Sequence, residues 1–85
     1  MKVVSVRALD GRLLEIVSDD GRVGQFDIGP YLEFEAFRPL TDRGEFAKVA
    51  SGGYFIEWDC GADLSADTLE AKWTVVGSVV TPLSV

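Results

Sequence analysis

The chain has 85 residues, of which 47% are hydrophobic and 26% charged, a composition typical of one small globular domain rather than of a disordered or disulfide-stapled chain. The absence of histidine excludes a Ser-His-Asp triad and an imidazole zinc site, and the single Cys60 excludes an intramolecular disulfide. The formal net charge of -6 disfavours binding to nucleic acid or to anionic lipid.

The first third of the chain predicts a three-stranded antiparallel meander. Three apolar runs are separated by Asp10-Gly11 and Asp20-Gly21, and Asp-Gly between such runs is a strong hairpin signal. Alternation along the first strand places three side chains on one face of the sheet, namely Val4, Val6 and Ala8.

The remaining elements complete a small α+β domain over residues 1–72. Asp42 and Glu45 have capping-box spacing and predict a helix of about two turns. Residues 54–58 are rich in aromatic and β-branched side chains and predict a fourth strand of the antiparallel sheet. Ser65 predicts the N-cap of a second short helix that runs towards Trp73.

Residues 73–85 form an uncharged, β-prone tail. An exposed strand of this kind presents unpaired backbone groups that bind another strand. The tail therefore either folds back on its own sheet or pairs with another chain. We expect the second outcome, a symmetric homodimer closed by exchange of the tail strand. Pro82 lacks an amide donor and limits this strand to about six or seven residues.

A cluster of acids after residue 58 approximates the spacing of a calcium-binding EF loop. Asp59, Asp63, Ser65, Asp67 and Glu70 fall at positions 1, 5, 7, 9 and 12 of that loop. Gly61 and Leu64 break the pattern, because position 3 needs a ligand and position 6 a glycine. We therefore predict no metal site and no cofactor.

Enzymatic residues and a nucleic-acid surface are equally unsupported by the sequence. Carboxylate pairs arise from the acidic composition alone, and neighbouring acids disfavour a reactive thiolate at Cys60. The eight basic residues are scattered rather than clustered, so we predict no binding of the isolated domain to duplex DNA. The chain is predicted not to be an enzyme.

The opening residues and the tail bear on location. Arg7 and Asp10 come too early for a signal peptide, and the uncharged tail is shorter than the roughly 20 residues that cross a bilayer. We expect a cytoplasmic protein that does not bind membranes.

A candidate interaction surface follows from the tryptophans, one loop acid and the tail. Tryptophan is a usual interface anchor, although Trp58 is first needed for the core of so small a chain. The candidate residues are Trp58, Asp63, Trp73, Val75, Val76, Val79 and Val80.

The order of motifs carries a resemblance. The most specific string is Trp58-x-x-Gly61-x-Asp63-Leu64-x-x-Asp67-x-Leu69, and upstream of it stand Asp20-Gly21, Phe26-Asp27-Ile28, Phe37, Leu40 and Phe46. Over roughly residues 2–72 this order resembles the domain-of-unknown-function family 2442. Two departures are Ala66, where the family often has proline, and the tail from Val75 to Val85, which lies outside the pattern.

The resemblance implies a small bacterial α+β domain without assigned activity. Members are sometimes fused to a helix-turn-helix domain and often encoded beside another small protein, which implies regulatory or antitoxin-like binding of a partner. We therefore predict a non-enzymatic protein-interaction module whose partner is a small protein or a second copy. The alternatives are a DNA-associated regulator that acts through a partner, and a carboxylate metal-dependent enzyme.

Overall fold

The predicted meander is present in the computed structural model of the chain, which describes residues 1–78. Its strands are β1 (Val3–Ala8), β2 (Leu13–Ser18) and β3 (Arg22–Asp27), each antiparallel to the next. Gly11 and Gly21 close the two turns with φ of 74° and 89°, a region that glycine adopts without steric cost. Both hairpins are confirmed.

The alternation expected for β1 is interrupted by a β-bulge. Val3 pairs with Ser18, whereas the next pair joins Ser5 to Val17, so Val4 has no partner. The extra residue moves Val3 onto the buried face and leaves Val4 62% exposed. The prediction that Val4 shares a face with Val6 and Ala8 is therefore wrong, because one inserted residue reverses the alternation before it.

Short helices follow the meander. Two 3₁₀ helices, Gly29–Glu33 and Glu35–Thr41, lead into the one-turn helix α1 (Arg43–Phe46). The carboxylate of Asp42 accepts hydrogen bonds from the amides of the second and third residues of α1, at 2.8 and 3.2 Å. The predicted cap is confirmed, but the helix has one turn instead of two.

Residues 54–58 were predicted to add a fourth strand to the meander sheet. They form a strand, but it does not join that sheet. The strand β5 (Phe55–Glu57) lies in a separate three-stranded antiparallel sheet, between β4 (Ala50–Ser51) and β6 (Asp63–Ser65). A tight turn in which Gly61 has φ of 96° joins β5 to β6. The backbone of β5 thus pairs with β4 on one side and with β6 on the other. Neither side is left to pair with a strand of the meander.

The fourth strand of the larger sheet comes instead from the predicted tail. Helix α2 (Ala66–Lys72) is capped by the Ser65 hydroxyl oxygen, which accepts the Thr68 amide at 3.1 Å, as predicted. The chain then enters β7 (Thr74–Ser78), which pairs antiparallel with β3, so the strand order is β1-β2-β3-β7. This part of the tail pairs with the meander of its own chain.

One cluster of buried side chains joins both sheets and α2. Its fully buried members include Leu14, Ile16 and Phe26 from the meander, Ile56 from β5 and Leu69 from α2. The architecture is a small α+β fold, as predicted. No helix among residues 1–78 is long and apolar enough to cross a membrane.

Candidate functional site

The larger sheet has two edges, and the structure treats them differently. At the β1 edge, the Val3 amide donates to the Gly53 carbonyl at 2.7 Å, and the Ser51 hydroxyl donates to the Val3 carbonyl at 2.8 Å. At the other edge, β7 pairs with β3 on one side only; within residues 1–78 no strand pairs with its outer side. An unpaired strand edge is a template for another strand.

The strand β7 is uncharged, and two neighbouring valines lie at its centre. All five of its residues are exposed, with Val75 at 48% and Val76 at 56%. Val76 is the extra residue of a second bulge, because Gly77 pairs with Val23 and Val75 with Gly24. The bulge shortens the regular run of the edge and so opposes open-ended stacking of strands.

These two valines are the described part of the predicted interaction surface in the tail. Val79 and Val80, predicted with them, lie outside the described residues. From residue 73 onwards the sequence has no charged side chain, so the outer side of Thr74–Ser78, called here the β7 edge, is uncharged.

Trp73 fixes the start of β7 to the sheet. Its indole is half-buried and lies against Gly24 in β3, where a Cβ atom would come within 2.6 Å of Cδ2 and 2.9 Å of Cζ3. The guanidinium of Arg22 stands 5.2 Å from the indole centroid, a cation–π contact. The glycine in β3 was the available sequence signal for this packing, and the sequence analysis missed it.

Arg22 also ties α2 to the meander. It donates hydrogen bonds to Glu70 at 2.7 Å and to Asp20 at 2.8 Å. The hydrogen bond from Arg22, together with that from the Met1 ammonium, holds the pKa of Glu70 below its usual value. A hydrogen bond from the Ser18 hydroxyl, followed by that from the Arg22 amide, lowers the pKa of Asp20. Glu70 occupies the last position of the EF-like spacing. Its carboxylate binds Arg22 and the Met1 ammonium instead of the other acids of that spacing.

The other predicted site residues lie apart from β7. Asp63 is exposed in β6, directly opposite Glu57 of β5. Trp58 is buried; its indole Nε1 donates to the Phe46 carbonyl at 3.0 Å, so it belongs to the core rather than to an interaction surface. Cys60 is exposed. Among residues 1–78, no group of three or more Cys, Asp or Glu side chains is arranged to hold a metal ion.

A groove that sequence reasoning missed opens near the start of β7. It has a volume of about 540 Å³, and we call it the aromatic groove after its lining residues, Phe26, Asp27, Pro30, Tyr31, Phe34 and Lys72. The Tyr31 ring is 5.6 Å from Phe26 and 6.3 Å from Phe34, centroid to centroid, and Phe34 is 60% exposed. The i, i+3 spacing of Tyr31 and Phe34 beside Gly29-Pro30 was the signal that predicts rings on one side of a 3₁₀ turn.

The aromatic groove and the β7 edge lie at the same end of the sheet. Thr74, the first residue of β7, pairs with Gln25, two residues before Asp27 of the groove. Lys72, also in the groove, immediately precedes Trp73. A strand added to the β7 edge and prolonged beyond Thr74 therefore approaches the groove.

Comparison with known proteins assigns the chain to a family. No curated protein and no solved structure matches the chain. A family model described as "Protein of unknown function (DUF2442)" matches residues 3–75, which include the meander, the smaller sheet and α2 and end inside β7. The match contains the Trp58 to Leu69 string from which the resemblance was predicted. The chain therefore belongs to the DUF2442 family, whose function is unknown.

Proposed function

We propose that this domain is a non-enzymatic protein-interaction module of a bacterial cytoplasm, and that it binds a second copy of itself through the β7 edge. The observation that carries the proposal is an exposed, uncharged strand with two central valines, whose outer side has no partner within residues 1–78. Strand addition at such an edge supplies backbone hydrogen bonds for affinity.

The charge distribution favours a second copy as the partner. Each chain carries a net charge of -6, so two copies repel wherever their acidic surfaces meet. The β7 edge is the part of the sheet where two copies meet without bringing charged side chains together. Identical strands related by a two-fold axis pair antiparallel, which closes the assembly at two chains. The two four-stranded sheets become one continuous sheet.

The two other functions considered from the sequence are not part of this proposal. A DNA-associated regulator needs a reading head on a partner, and a metal-dependent enzyme needs grouped ligands. No contact among residues 1–78 favours either over strand pairing. The support for protein binding is the free edge itself.

A charge placed on the edge tests the proposal. In the two-fold pairing, Val76 lies near Val76 of the second copy, so Val76→Lys sets two like charges opposite each other, which destabilises a strand pair. The matched control is Val4→Lys, because Val4 is an equally exposed bulge valine on the opposite edge of the sheet.

Sedimentation equilibrium is measured on the full chain and both variants, with circular dichroism to verify that each is folded. We expect a dimer for the full chain and for Val4→Lys, and a monomer for Val76→Lys. A monomeric full chain, or a dimer that Val76→Lys leaves unchanged, would refute the proposal.

A further inference from the structure

We propose that a cavity beside the first hairpin turn binds a small organic acid, in which a carboxylate is attached to a compact apolar group. The cavity has a volume of about 180 Å³ and lies between the β1–β2 turn and the short helices that follow the meander. It shares no lining residue with the β7 edge or with the aromatic groove. Binding of such an acid is therefore separate from the proposed strand pairing, and neither depends on the other.

The walls of the cavity come from two parts of the chain that a backbone contact brings together. The Ile28 amide donates to the Arg12 carbonyl at 2.9 Å, which fixes the β1–β2 turn to the end of β3. The chain then passes through the two 3₁₀ helices, the second of which, Glu35–Thr41, leads into α1. The turn and α1 each contribute one arginine to the cavity, Arg12 from the turn and Arg43 from α1.

The interior of the cavity is apolar. Ile28, Leu40 and Phe46 line it, and all three are buried core residues. The hydroxyl of Thr41 also lines the cavity, but it donates to the Arg38 carbonyl at 2.9 Å, so its hydrogen is already used. An apolar cavity of about 150 Å³ holds one benzene molecule, so this one admits a single ring or a branched alkyl group of that size.

The two arginines have little competition from acids of the same chain. Within residues 1–78 Arg12 forms no ion pair, and Arg43 pairs only with Asp10, at 3.6 Å, where both side chains are almost fully exposed. An exposed pair of this kind contributes little free energy. Asp27 and Asp42, which are close to the two arginines, already accept hydrogen bonds from backbone amides. None of the described residues that line the cavity is acidic.

These features together select the chemistry of the ligand. A guanidinium binds a carboxylate through two parallel hydrogen bonds, and burial of an apolar group in the interior adds the hydrophobic contribution. A neutral apolar molecule leaves both arginines unused, and a bare inorganic anion leaves the interior unfilled. A molecule such as benzoate, with one ring and one carboxylate, uses both parts of the cavity.

Three probes separate the contribution of the ring from that of the charge. Benzoate has both, benzyl alcohol has the ring without the charge, and inorganic phosphate has the charge without the ring. Each is titrated into the full chain at pH 7 and constant ionic strength, and binding is followed by the NMR shifts of the backbone amides. We expect benzoate to bind with a Kd of about 0.1–1 mM, and the other two probes to bind about tenfold more weakly or less. The amides of Gly11 and Arg43 should be among those that shift.

Two variants and a matched control identify the groups that hold the carboxylate. Arg12→Gln and Arg43→Gln each remove one guanidinium and keep a polar side chain, and circular dichroism verifies that the variants are folded. We expect each to weaken benzoate binding by about three- to tenfold. The control is Arg38→Gln, because Arg38 is an exposed arginine of the adjoining 3₁₀ helix that does not line the cavity. Its affinity for benzoate should equal that of the unaltered chain.

The outcomes that would overturn the assignment are distinct. Benzoate that does not bind in the millimolar range removes the site. Benzoate that binds equally well to the unaltered chain and to both cavity variants removes the role of the arginines. If benzyl alcohol or phosphate binds as tightly as benzoate, the ligand is not an organic acid.

Discussion

The packing of Trp73 on Gly24 predicts that β3 does not tolerate a methyl group at this position. In Gly24→Ala the new Cβ would overlap the six-membered ring of the indole, with 2.6 Å to Cδ2. The ring must then leave the sheet, or β3 and β7 must separate. Either change loosens the start of the strand that carries the proposed interface.

The magnitude follows from two opposing effects. Alanine in a strand interior is favoured over glycine by about 0.5–1 kcal/mol. Overpacking of a filled site costs about 1–3 kcal/mol. The net expectation is that Gly24→Ala lowers the free energy of unfolding by about 1–2 kcal/mol, which for a domain of this size is a fall in Tm of roughly 4–16 °C.

Urea unfolding followed by circular dichroism measures this change at one fixed chain concentration. The matched control is Gly77→Ala in β7, where a Cβ atom meets nothing within 4 Å, so it should be neutral or slightly stabilising. In a Trp73→Ala background, Gly24→Ala should lose its penalty, because the clashing ring is gone. If Gly24→Ala is as stable as Gly77→Ala, or if its effect is unchanged without the indole, the reasoning is refuted.

Three further outcomes follow from the described contacts. Trp58→Phe leaves the Phe46 carbonyl without its donor and should lower the free energy of unfolding by about 1–3 kcal/mol in urea; an unchanged midpoint would count against it. Ser65→Ala should cost about 1 kcal/mol by the same assay, and Ser65→Asp should not, since either oxygen caps α2. Because the Arg22 hydrogen bond lowers the pKa of Glu70, its stabilising contribution is present above the ordinary carboxyl pKa and is lost as the pH falls through the lowered one. Glu70→Gln should therefore reduce stability at pH 7 and flatten the acid limb of a stability–pH profile, and parallel profiles would contradict this.

The local parts of the fold were predictable from the sequence. The Asp-Gly turns, the Asp42 cap and the Ser65 cap each depend on a few consecutive residues, whose hydrogen bonds form over three or four positions. The family was recognised from the order of short motifs along the chain, of which the string from Trp58 to Leu69 is the most specific.

The assignment of strands to sheets required the tertiary structure. Residues 54–58 read as a strand in isolation, but nothing in them states which edge they will join. The bulge at Val4 reversed an alternation that the residue types alone left in doubt, because Val3 and Val4 are both valine. Local residue types therefore indicate that a strand forms without indicating its register or its neighbour.

Part of the candidate interaction surface was likewise predictable from the sequence, and part required the tertiary structure. Val75 and Val76 were predicted from their apolar, uncharged surroundings, since composition alone shows that an edge of this kind needs a cover. The sequence alone thus determined the turns, the helix caps, the family, and the uncharged, β-prone character of the tail. Only the tertiary structure decided that Trp58 is buried, that Trp73 holds β7 against Gly24, and that the aromatic groove opens beside it. Those contacts join residues as far apart as Gly24 and Trp73, and such pairs are settled by the packing of whole elements, which no short stretch of sequence encodes.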